Sequence, residues 1–69
     1  MVSIEYIVVG NYDTDFENIY YCDTSEVGAF KRYKELKFKN KKIFKVRVTK
    51  DYLKDVLFIM DYEILEVIK

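Results

Sequence analysis

The spacing of apolar residues changes along the chain, and each change marks a new element. "VSIEYIVV", residues 2–9, is dense in β-branched and aromatic side chains and stops at Gly10, which predicts a strand. "GNYDTDFEN" follows as a polar turn, and "IYYC" with its flanks reads as the second strand of a hairpin. From Asp23 the period lengthens. Asp23-Thr-Ser-Glu26 has the spacing of a capping box, and Ala29, Phe30, Tyr33 and Leu36 form one stripe of a helix over residues 24–38. Lys37 and Lys39 suit the negative end of that helix. "KKIFKVRVTK" then alternates strictly, with Phe44, Val46 and Val48 on one face and Lys45, Arg47 and Thr49 on the other. That is the pattern of a half-buried strand.

The last twenty residues satisfy two periods at once. Wrapped as a helix, Leu53, Val56, Leu57, Met60, Ile64, Val67 and Ile68 share an arc of about 120°, with Phe58, Tyr62 and Leu65 as a second stripe. "VLFIMDYEILEVIK" also has strong strand propensity. The helical reading is favoured, giving the order β-β-α-β-α, with ββαββ as the alternative. Either way the expected fold is α+β: a small three- or four-stranded, mainly antiparallel sheet with one or two helices, in a single domain over residues 1–69.

Size adds a constraint. A 69-residue chain is marginal without a staple, and with Cys22 as its lone cysteine and no histidine it has neither an internal disulfide nor a His-bearing zinc site. Seven Tyr and five Phe supply large apolar payloads instead. Self-association, as a homodimer, is therefore expected. "MVSIEYIVVG" lacks a basic leader and the longest aliphatic and aromatic run is Val56–Met60, far short of the roughly 20 residues a membrane helix needs. The expectation is a reduced, cytoplasmic setting without membrane contact. Lys, Asn, Ile, Tyr and Phe number 32 against 5 for Gly, Ala, Pro and Arg, a bias towards A/T-rich codons that mildly favours a phage or other mobile element as source.

Charge is segregated although the net charge is zero. Residues 1–26 carry six acids and no base, residues 31–50 ten bases and one acid, and residues 51–69 five acids and two bases. Nucleic-acid binding through Lys39, Lys41, Lys42, Lys45 and Arg47 is one reading of the basic run, since each cation that neutralises a phosphate releases counterions. Three features weigh against it. The alternation turns Phe30, Tyr33 and Phe44 inwards, Lys outnumbers Arg ten to two, and the balance of charge is neutral. A solvated outer face is favoured, with Glu5 opposite Lys45 or Arg47 on it.

Little else points to chemistry. "DTDFEN" has alternating acids, but Asn18 and Thr24 stand where a calcium loop counted from Asp13 needs Gly and Glu. Cys22 lacks an activating base and has Asp23 beside it, so a buried thiol is the plainer account. No phosphate-binding glycine motif occurs. The expectation is a protein without catalytic residues, cofactor or metal, acting by protein–protein contact; a mobile-element inhibitor that occludes a host or defence protein is one form of it. Tyr20, Tyr21, Phe58, Tyr62 and Leu65 are the expected anchors, with Lys45 and Arg47 as steering charges. A structural homo-oligomer is the further alternative.

Overall fold

In the computed structural model, which describes residues 1–69, the elements are β1 (Val2–Gly10), β2 (Asn18–Asp23), α1 (Glu26–Glu35), β3 (Lys41–Leu53) and β4 (Val56–Val67). The strands form one antiparallel sheet in the order β2-β1-β3-β4. The α+β expectation holds, and the order is the alternative one, ββαββ. The favoured C-terminal helix is a strand. No helix is long and apolar enough to cross a membrane.

The hairpin that makes β4 a strand turns on Lys54 and Asp55, both at positive φ (53° and 65°). Two left-handed residues in a two-residue loop match the right-handed twist of the flanking strands. The usual sequence sign of such a loop is glycine or asparagine, and neither is present. The hairpin was therefore silent in the sequence, and the helical spacing of the apolar residues prevailed.

Helix α1 starts one residue pair later than the capping box suggested. Ser25, not Asp23, is the N-cap: its Oγ accepts from the Gly28 amide at 3.0 Å, while Asp23 accepts from the neighbouring Thr24 amide. At the other end Lys41 Nζ donates to the carbonyls of Tyr33 (2.9 Å) and Leu36 (2.7 Å), satisfying oxygens that the helix leaves open.

Both faces of the sheet are apolar, which sets where the layers go. On the front, Val8 and Ile43 meet Ala29 and Leu36, flanked by Tyr6, Tyr20, Tyr21, Phe30, Tyr33, Phe38 and Ile68. The predicted helical stripe is thus the one that packs. Tyr20 and Tyr21 both serve this face, although neighbours in a regular strand point apart. The register slips between Val8 and Val9, leaving Tyr20 as the extra residue of a β-bulge. Gly10 lies beneath the rings of Phe38 and Tyr20, where a Cβ would come within 2.6 Å of the first.

The back carries Ile7, Val9, Phe44, Val46 and Val48, all at most 3% exposed, with Glu5 among them at 4%. Phe44, Val46 and Val48 thus face away from the helix, and Lys45 and Arg47 share its side. No second layer covers this face; its cover comes from Tyr12 in the β1–β2 turn, Ile19 and Cys22 on β2, and Tyr62 on β4. Bulges in both edge strands supply the bending that brings those edges round. Glu17 and Tyr12 come near enough to Tyr62 to push its hydroxyl pKa up, behind burial as the main cause.

The projecting arm as candidate binding surface

Strand lengths are unequal, and the surplus projects. β1 starts beside the point where Met1 and Lys50 exchange backbone hydrogen bonds, the terminal amine to Lys50 O at 2.9 Å and Lys50 N to Met1 O at 2.7 Å. β3 and β4 run on past that point, so residues 51–60 form a two-stranded arm, exposed throughout. Its large apolar side chains, Tyr52, Leu53, Val56, Leu57, Phe58, Ile59 and Met60, are 38–63% exposed. Isolated apolar residues on a surface are ordinary; a contiguous exposed patch of this kind is uncommon.

The pairing register tells where the arm's backbone groups point. In an antiparallel ladder, alternate residues direct their N–H and C=O to opposite sides. Lys50 bonds towards Met1 and Ile43 bonds towards Ile68, so Asp51 and Leu53 turn to β4 and Tyr52 turns to the open side. On β4, Phe58 and Val56 answer Asp51 and Leu53, which leaves Leu57, Ile59 and, beyond the bulge at Met60, Tyr62 facing outwards. Two of these outward amides are closed by a neighbouring acid: Asp51 accepts from Tyr52 N and Asp61 from Tyr62 N, each at 2.8 Å. Such caps blunt a sheet edge. Leu57 and Ile59 have no such cap.

A buried polar cluster lies at the base of the arm on the back face. Glu5 Oε1 accepts from Lys50 Nζ at 2.8 Å and from the Cys22 thiol at 3.3 Å, and Ser3 Oγ donates to Oε2. Burial would raise the Glu5 pKa, but the hydrogen bonds from Lys50, Ser3 and Cys22 outweigh it and hold the carboxyl below its ordinary value. The bond to Glu5 raises Lys50. Burial, then Glu5, pushes Cys22 up to about 11, so its thiol stays protonated at neutral pH and is a poor nucleophile. Glu5 was expected opposite Lys45 or Arg47 on a wet face; it lies on the other face and pairs with Lys50.

The remaining predicted residues scatter. Tyr20 and Tyr21 are half-buried under the helix, Tyr20 against Phe38 at 5.1 Å and Tyr21 donating to Ser25 O at 3.0 Å. Tyr62 is half-buried on the back, Leu65 is exposed at a bulge of β4, and Phe58 alone stands on the arm. Arg47 pairs with Glu63 at 2.9 Å on the front, and Lys45 lies beside it. Of the basic set, Lys41 is committed to the helix end and the Tyr33 ring (4.4 Å), Lys42 lies 6.0 Å over Tyr12, and Lys39 is exposed. The other arm residues were missed because the helical reading put Leu53, Val56, Leu57 and Met60 in a core stripe. The signal that could have found them is the uncharged run Val56–Met60.

Comparison with known proteins finds no matching family model, curated protein or solved structure.

Proposed function

We propose that the protein is a non-catalytic binding module that engages a protein surface through the β3–β4 arm. The observation that carries this reading is the arm itself, a projection whose large side chains are open on both faces and whose β4 edge keeps two uncapped outward residues. A partner strand added at Leu57 and Ile59 would take up those backbone groups while its side chains cover the apolar ones, the mode of strand addition. The surface has no cavity, so its distinctive feature is a protrusion rather than a cleft. Tyr20 and Tyr21 supply the body's packing in this reading, and Phe58 remains the expected anchor with Leu57 and Ile59 beside it.

The test compares the chain with Phe58→Glu and Leu57→Glu variants, as immobilised bait or in self-association assays. Both residues lie outside the core, so the variants should keep the native circular dichroism and melting temperature while losing every protein contact the native chain makes. Contacts that survive both substitutions would place the interface elsewhere. An oligonucleotide shift at low salt that persists in both variants would favour the basic run instead.

A further inference from the structure

Resting on the reading of the arm as an interface, we infer that its partner is a second copy of this chain, paired antiparallel through β4 about a two-fold axis at Phe58. Three observations meet in this assignment. The first is the position of the outward backbone groups. In a ladder centred on Phe58, Leu57 of one copy lies opposite Ile59 of the other and the reverse, so the two uncapped residues become reciprocal hydrogen-bonded pairs. A surface that meets its own copy in this way is what two-fold symmetry requires.

The charge-free stretch has the same centre. Val56–Met60 is uncharged and symmetric about Phe58, so the pairs Leu57–Ile59 and Val56–Met60 carry no charge, and Asp61 meets Asp55 of the other copy only where the ladder ends at the turn. A two-fold placed further along the strand would bring Asp61, Glu63 and Glu66 into the ladder itself, and like charges across a ladder are unfavourable. Asp61 also closes the edge at Tyr62, which stops the pairing from running on into the body. The third observation is the apolar surface of the pairing strand. Leu57, Phe58, Ile59 and Met60 on β4 are 38–63% exposed, so a second copy laid beside this strand covers apolar side chains rather than charged ones. The dimer is elongated, with the bodies at opposite ends of a shared ribbon.

Across the axis the two Phe58 residues form a non-hydrogen-bonded pair, with Cα atoms about 4.5 Å apart, close enough for a disulfide between cysteines placed there. In a Cys22→Ser background, Phe58→Cys should oxidise to a covalent dimer at micromolar concentration, whereas Tyr52→Cys, on the opposite edge of the arm, should not. Sedimentation equilibrium of the native chain should return twice its 8.4 kDa mass. Ile59→Pro removes an amide that the intrachain ladder does not use, a change edge strands tolerate. It should weaken the dimer at least tenfold with the circular dichroism unchanged.

A native chain that stays monomeric at millimolar concentration, with Phe58→Cys uncrosslinked, overturns the self-pairing. If that monomer still retains a different protein in a way Phe58→Glu abolishes, the arm stands as an interface and its occupant is foreign. If the monomer retains nothing arm-dependent, both readings fall. A dimer that persists in Ile59→Pro and does not crosslink at Phe58 overturns the register and with it the inference.

Discussion

β3 crosses a boundary at Lys50, and its two halves show how much packing depends on neighbours rather than on pattern. Before Lys50 the strand places Phe44, Val46 and Val48 under the turn and edges of the sheet, buried almost completely. After it the strand carries Tyr52 and Leu53, one towards each face, yet both are 63% exposed. The residue types hardly differ. What differs is that β4 flanks both halves but β1 lies along the other edge of the first half only. β4 repeats the contrast between Tyr62, half-buried over the back core, and Leu57 and Phe58 on the arm. The body encloses Ile7, Val8, Val9, Ile43, Phe44, Val46 and Val48 while leaving others such as Phe16 and Val27 open, whereas the arm encloses none of its apolar side chains.

The largest expected effect tests that contrast directly. Ile7→Ala and Ile43→Ala, one on each face of the body, should each cost about 3 kcal/mol, because both side chains are wholly enclosed. Leu57→Ala on the arm should change the unfolding free energy of the monomer by less than about 0.5 kcal/mol. Urea unfolding at low protein concentration separates the two. Equal losses at all three sites would mean that the arm is packed in solution and that the boundary at Lys50 is fictitious.

The body was legible in the sequence where one face of an element is apolar at a single period. The helix stripe Ala29, Phe30, Tyr33 and Leu36 and the alternation of β3 are of this kind. Which face the helix would cover was not legible, because Ile7 and Val8 are equally apolar and each face needs a core of its own. The direction of Tyr20 and Tyr21 depended on a bulge, which no residue type announces. The arm was hidden for a related reason: its residues fit a helical arc as well as a strand, and the Lys54–Asp55 turn lacks the glycine that would have decided between them.

The junction between body and arm gives the next effect. Glu5→Gln leaves Lys50 charged with a weakened partner and should cost about 2 kcal/mol at pH 7. The pH dependence carries the sign. Glu5 is held below 4.5 in the fold, so its contribution is present above that value and is lost as pH falls through the lowered pKa. Lys50 is raised above 10.5, so its share is present below that value and is lost as pH rises through the raised pKa. Cys22 adds a loss that begins near pH 9, where the unfolded thiol ionises, and ends near the folded value of about 11. Glu5→Gln should therefore flatten the acid limb, and Cys22→Ser the segment between 9 and 11, in urea midpoints measured against pH. An acid limb unchanged in Glu5→Gln would place the responsible carboxylate elsewhere.

A smaller effect sharpens the account of the arm. Lys54 and Asp55 hold a left-handed backbone at a cost of about 1 kcal/mol each relative to residues suited to it. The double substitution Lys54→Asn, Asp55→Gly supplies the preferred turn residues. It should slow amide exchange in residues 51–60 severalfold and leave exchange at Ile7 and Val46 as it was. Slower exchange throughout the molecule would instead show that arm and body open together.

The smallest expected effect asks whether surface charge, rather than apolar burial, separates the two regions. Arg47 and Glu63 pair at 2.9 Å on the front of the body, yet their side chains are 52% and 65% exposed. Water screens such a pair, and ordering two flexible side chains offsets much of its attraction. A double-mutant cycle with Arg47→Ala and Glu63→Ala should return a coupling of about 0.4 kcal/mol, fading in molar salt. The arm has no comparable pair, so a coupling well above 1 kcal/mol would make electrostatics part of what fixes the body and leaves the arm free. A value near the expected one assigns the difference to the burial of Ile7, Val9, Phe44, Val46 and Val48 on one face and Val8 and Ile43 on the other. In that case covering the arm with apolar surface is the one change that would make its residues resemble those of the body.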